Sequence, residues 1–129
     1  MERLFIALAG LYGTTAVVLG AFGAHGLRNV VADAADSADR MRWWETAAQY
    51  HLAHALGIGL CAWLVSRGPG WPARLAGFSF AIGVAIFSGT LYAMALGAPR
   101  FLGAVTPLGG LAMILGWCAV VGAALRKAK

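Results

Sequence analysis

Acidic and basic residues divide this chain into uncharged blocks. Leu4–Leu27, Thr46–Ser66, Leu75–Pro99 and Phe101–Leu125 contain no Asp, Glu, Lys or Arg, and are 24, 21, 25 and 25 residues long. A helix crossing a hydrocarbon core of about 30 Å needs roughly 20 apolar residues, and in lipid each backbone amide must be satisfied within its own helix. The pattern therefore predicts four spanning helices, over approximately 4–27, 44–66, 75–97 and 101–125. The predicted class is an all-α membrane protein: one antiparallel four-helix transmembrane bundle covering residues 1–129. The first block is too long for the 7–15 residue core of a signal peptide and only Arg3 precedes it as a basic residue, so it reads as a retained span.

The connections shape the picture further. Arg67–Arg74 holds Gly68, Pro69, Gly70 and Pro72 and reads as a turn, and Gly97–Arg100 is shorter still, which makes the last two helices an antiparallel hairpin. Arg28–Glu45 is the one long connection, with an Ala-rich middle suited to a short interfacial helix. Trp43 and Trp44 would mark one membrane boundary and Trp71 the other. Four crossings put both termini on the side of Arg67–Arg74. That side holds Arg3, Arg67, Arg74, Arg126, Lys127 and Lys129, against Arg28, Arg40, Arg42 and Arg100 opposite, so the termini are predicted to be cytoplasmic.

Composition agrees. Hydrophobic residues make up 60% and charged residues only 12%, whereas a soluble domain carries about twice that charge. A net charge of +5 does not indicate nucleic acid, because the basic residues flank apolar blocks facing lipid headgroups and form no single stripe. Cys61 and Cys118 each lie inside an apolar block without a CxxC or Cys/His spacing, and read as small helix residues. Gly10, Gly13, Gly20 and Gly23 in the first helix, and Gly109, Gly110 and Gly116 in the fourth, are predicted to be packing positions. Small residues let membrane helices approach closely. Thr106-Pro107 is predicted to shape the start of the fourth helix or to open its backbone toward a ligand.

Chemistry within the spans is sparse. Polar side chains in hydrocarbon need partners, so His25, Tyr50 and His54, with the hydroxyls of Ser88, Thr90 and Thr106, form a candidate polar cluster facing the bundle interior. Tyr50 and His54 are four residues apart and share a helix face, while His51 points further round. His25 lies near the outer surface and His54 roughly 12–15 Å deeper, which disfavours a paired-histidine haem or metal site. There is no HExxH, phosphate loop, hydrolytic triad or paired intramembrane carboxylate, so neither an enzyme nor a bound cofactor is predicted.

The segments Gly20-Ala21-Phe22-Gly23-Ala24-His25, Tyr50 to His54, Phe87-Ser88-Gly89-Thr90-Leu91-Tyr92 and Thr106-Pro107-Leu108-Gly109-Gly110, in this order, resemble a family of small four-helix bacterial membrane proteins. The family is typified by YgdD and YwdK and catalogued as domain of unknown function 423. The resemblance covers nearly the whole chain and implies a multi-pass inner-membrane protein, with no activity, substrate or cofactor attached. It also implies histidine at the positions of His25 and His54, with His51 variable, and a serine where Thr90 stands here.

The leading expectation is a non-enzymatic structural or accessory bundle. Its partners would be the lipid bilayer and either further copies of itself or a membrane complex. Two alternatives stay open: a binder or carrier of a quinone, lipid or haem at the His/Tyr cluster, and a small oligomeric transporter or channel.

Overall fold

A computed structural model describes residues 1–68 and 70–126; Pro69, Lys127 and Lys129, which bear on the predicted turn and on the charge balance, lie outside the described residues. Helices and the short turns between them make up the described residues, with no strand: α1 is Glu2–His25, α2 Leu27–Val31, α3 Ser37–Ser66, α4 Trp71–Ala95 and α5 Thr106–Leu125, with a 3₁₀ turn over Arg100–Ala104. By length and composition, α1, α4 and the unit Arg100–Leu125 are able to cross a membrane. The 30-residue α3 is long enough. Its stretch from Asp39 to His54, however, carries Asp39, Arg40, Arg42, Glu45, Gln49, His51 and His54, which dilute its apolar character.

Three boundaries differ from the predicted ones for physical reasons. Arg28–Glu45 is not a long loop, because α3 begins at Ser37. Its charges fall at helical spacing, with Asp36 bonded to Arg40 at 2.7 Å and Asp39 to Arg42 at 2.5 Å. Blocks free of charge thus mark membrane depth and miss the helix extending beyond it. Trp44 consequently sits inside α3, 3% exposed, and is no boundary residue: its indole N–H donates to the Leu19 carbonyl at 2.8 Å. At the other turn α4 starts at Trp71, because Pro72 falls in the first helical turn, where a missing N–H is harmless. Thr106-Pro107 opens α5 in the same way, as a helix start.

α3 and α4 form the central antiparallel pair. α1 packs along α3 and reaches α4 through long side chains: the Phe5 ring lies 2.5 Å from where a Cβ on Gly77 would be. α5 packs along α4 and reaches α3 through Trp117. Phe80 of α4 is fully buried at the centre, its ring seated over Gly57 of α3 and Gly116 of α5. The tightest α4–α5 approach is backbone to backbone, at Gly83 and Gly109.

This divides the predicted packing glycines. Gly109, Gly116 and Gly23 are contact positions, the last beneath the Trp44 ring, and Gly110 makes only ordinary contact with Phe87. Gly10, Gly13 and Gly20 have open space where a side chain would be, so the expectation that they pack this bundle was wrong. Their spacing suits a helix interface, but α1 turns Phe5 and Ala16 inward instead.

Candidate functional site

The predicted cluster does not come together as one site. His25, the last residue of α1, is exposed, and Tyr50 is 43% exposed, so neither faces the interior as expected. Tyr50 does stack on His54, with centroids 5.9 Å apart and rings within 8° of parallel. That contact lies on the flank of α3 because the Phe80 ring occupies the interior. The remaining residues are buried or half-buried, in three separate groups.

The first group lies between α3 and α5. His54 Nδ1 is 2.8 Å from the Tyr50 carbonyl, which can only accept, so Nδ1 carries the proton. The Trp117 indole N–H, which can only donate, lies 3.2 Å from Nε2. His54 is therefore neutral, with one assigned tautomer and its single ring lone pair occupied.

The second group joins α1, α3 and α4 through His51, a residue that helix spacing alone puts outside the cluster. The Thr15 hydroxyl, which also reaches the Leu11 carbonyl at 2.9 Å, lies 3.2 Å from His51 Nε2. The Tyr92 hydroxyl lies 3.2 Å from His51 Nδ1. Both partners can donate or accept, so both ring nitrogens are engaged in either tautomer. Tyr12 lies edge-on to the imidazole and donates to the Ala81 carbonyl at 2.9 Å.

The third group binds helices through hydroxyls. Thr90 and Thr106 are 2.7 Å apart across α4 and α5, and buried Ser88 donates to the Ala47 carbonyl of α3 at 2.8 Å. Among the described residues no buried side-chain nitrogen or oxygen lacks a partner, and no three His, Cys, Asp or Glu side chains are grouped as a metal site.

Thr15, Tyr12 and Trp117 were missed by sequence reasoning. Trp117 carried a usable signal: it is a tryptophan in the middle of an apolar helix, where a buried indole N–H requires an acceptor. Beside His51, a crevice of about 280 Å³ opens between α1 and α4, walled by Leu11, Leu19, Val84 and Gly89 with Tyr92 at its edge.

At the end of the bundle where α3 begins, Asp36 accepts from Arg100 at 2.9 Å as well as from Arg40. These two guanidinium groups, Arg100 first, hold its carboxyl below the usual range. Arg100 also lies over the Trp43 ring. The segment before α3 is thereby joined to the α4–α5 turn.

Residues 19–110 match the family model described as "Protein of unknown function (DUF423)". The UPF0382 membrane protein YwdK of Bacillus subtilis is 39% identical over 96% of this chain and 98% of its own length. A UPF0382 membrane protein of Staphylococcus epidermidis is 41% identical over 98% of each. The UPF0382 inner membrane protein YgdD of Escherichia coli is 35% identical over 97% of this chain and 92% of its own. None of these names is enzymatic. No solved structure matches the chain.

Proposed function

The chain belongs to the DUF423 family of membrane proteins, and from its geometry we propose that it is a four-span, non-enzymatic bundle serving as a structural or accessory element of the inner membrane. In this reading α3 is the fourth crossing and both termini are cytoplasmic. The observation that carries it is that, among the described residues, every buried side-chain nitrogen and oxygen has a partner, with the ring nitrogens of His51 and His54 engaged by neighbouring helices and backbone. Polar groups arranged this way hold helices together in lipid, and they leave no ring lone pair of His51 or His54 free for a metal, a haem or proton abstraction. The open Gly10, Gly13 and Gly20 face of α1 supports the accessory part, since a neighbouring membrane helix packs against small residues.

Mass spectrometry and absorbance of the protein in mild detergent test this reading with a His51→Ala variant. The reading expects lower thermal stability and an unchanged set of copurifying molecules. Loss of a bound molecule from a variant that stays folded would overturn it in favour of a second reading. The crevice beside His51 favours that alternative: an apolar ligand entering from the membrane, such as a quinone or lipid, would lie against Tyr92 and His51.

A further inference from the structure

A larger groove, of about 480 Å³, lined by no histidine, lies at the end of the α4–α5 hairpin where α4 begins and α5 stops. Its inner walls are Leu75 and Ser79 of α4 and Leu115, Cys118 and Gly122 of α5. At about 1.5 Å per residue, the distance from Arg126 to Leu115 is on the order of 16 Å, so the groove runs along the helices well into the apolar layer. Arg126 closes its mouth, with the guanidinium carbon 5.9 Å from the centroid of the Trp71 ring. Trp71 is itself 63% exposed at the start of α4, the position of a tryptophan at a membrane boundary.

The charge at this end of the bundle is predominantly positive. Among the described residues the three ion pairs all involve Asp36 or Asp39 at the opposite end, and none includes Arg126. The described residues at this end include Arg3, Arg67, Arg74 and Arg126, with Glu2 their one acidic counterpart. A fixed cation at the interface above an apolar channel parallel to the helices has the layout of a phospholipid: a phosphate outside and a chain inside.

We propose that this groove binds one anionic phospholipid from the surrounding leaflet, with its phosphodiester on Arg126 and an acyl chain between α4 and α5. A guanidinium offers paired N–H donors to phosphate oxygens, and the Trp71 ring holds it at headgroup level. The net negative charge of the lipid distinguishes it from zwitterionic lipids, because the arginines at this end outnumber Glu2 and disfavour a choline group beside the phosphate.

Native mass spectrometry of the full chain in mild detergent tests this, titrating phosphatidylglycerol against phosphatidylcholine of the same chains. The wild type should retain one phosphatidylglycerol at a concentration at least about fivefold lower than phosphatidylcholine, the preference one interfacial arginine supports. Arg126→Gln, an exposed position, should abolish that preference, while Arg28→Gln at the far end should keep it. Gly122 has open space where a side chain would be, so Gly122→Leu fills the groove without displacing a neighbour and should weaken retention of both lipids. Equal retention of the two lipids by the wild type would overturn the proposal. So would an Arg126→Gln variant that keeps the preference, or a folded Gly122→Leu variant that binds as before. A protein dimer that Gly122→Leu dissociates, with no lipid preference, would make a second copy the occupant and overturn it equally.

Discussion

A Cβ added at Gly109 would lie 2.4 Å from the Phe87 backbone nitrogen and 2.7 Å from the Gly83 carbonyl oxygen, and neither atom can move aside without shifting a helix. Gly109→Ala should therefore destabilise the protein by about 1–3 kcal/mol, the usual range for overpacking. Gly20→Ala, with nothing within 4 Å, should be close to neutral, and thermal unfolding in detergent checks both. His54 and Trp117 give a second prediction. Their hydrogen bond crosses from α3 to α5, so a double-mutant cycle of His54→Ala with Trp117→Phe should yield a coupling of about 0.6–1 kcal/mol. Additive single effects would mean that the contact contributes nothing. At this scale the sequence was only partly legible. The i,i+4 pairing of Tyr50 with His54 could be read, because it is a property of one helix. The partner helices of His51 and His54 could not, because spacing within one helix does not say which face a neighbour occupies. The same gap explains the misplacement of Gly10, Gly13 and Gly20.

Among the elements, α3 shows how local chemistry and membrane depth separate. Its long apolar half was evident from the run after Glu45, whereas the helical start at Ser37 depends on Asp36–Arg40 and Asp39–Arg42 pairs that charge-based parsing assigns to a loop. Proline in the first turn similarly lets α4 begin within the predicted turn. The start of α3 and the turn between α4 and α5 are joined through Asp36, which predicts a pH dependence. Its pKa in the folded protein lies below the usual value of 3.8 because Arg100 and Arg40 donate to it. Its stabilising effect is thus fully present above that value and is lost as pH falls through the lower, folded-state one. Asp36→Asn should melt below the wild type at neutral pH, and the two should converge in acid. A constant difference down to about pH 2 would show that Asp36 does not act through its charge.

For the molecule as a whole, the family, the helical class and the membrane character were all present in the sequence, since each rests on apolar blocks and short motifs that survive without tertiary knowledge. The number of crossings is harder to read, because α3 combines adequate length with an unusual load of polar side chains. In the four-span reading proposed above, partnership between helices offsets that polar load. His51 and His54 are partnered by α1, α4 and α5, which is what a bilayer would require of them if α3 is the proposed fourth span. The most direct test is the sidedness of the two ends of α3, measured with topology reporters fused after Ala34 and after Gly68. A crossing α3 puts the reporters on opposite sides, with the Ala34 fusion external and the Gly68 fusion cytoplasmic. Both reporters on the same side would mean that α3 does not cross, and would contradict the four-span bundle.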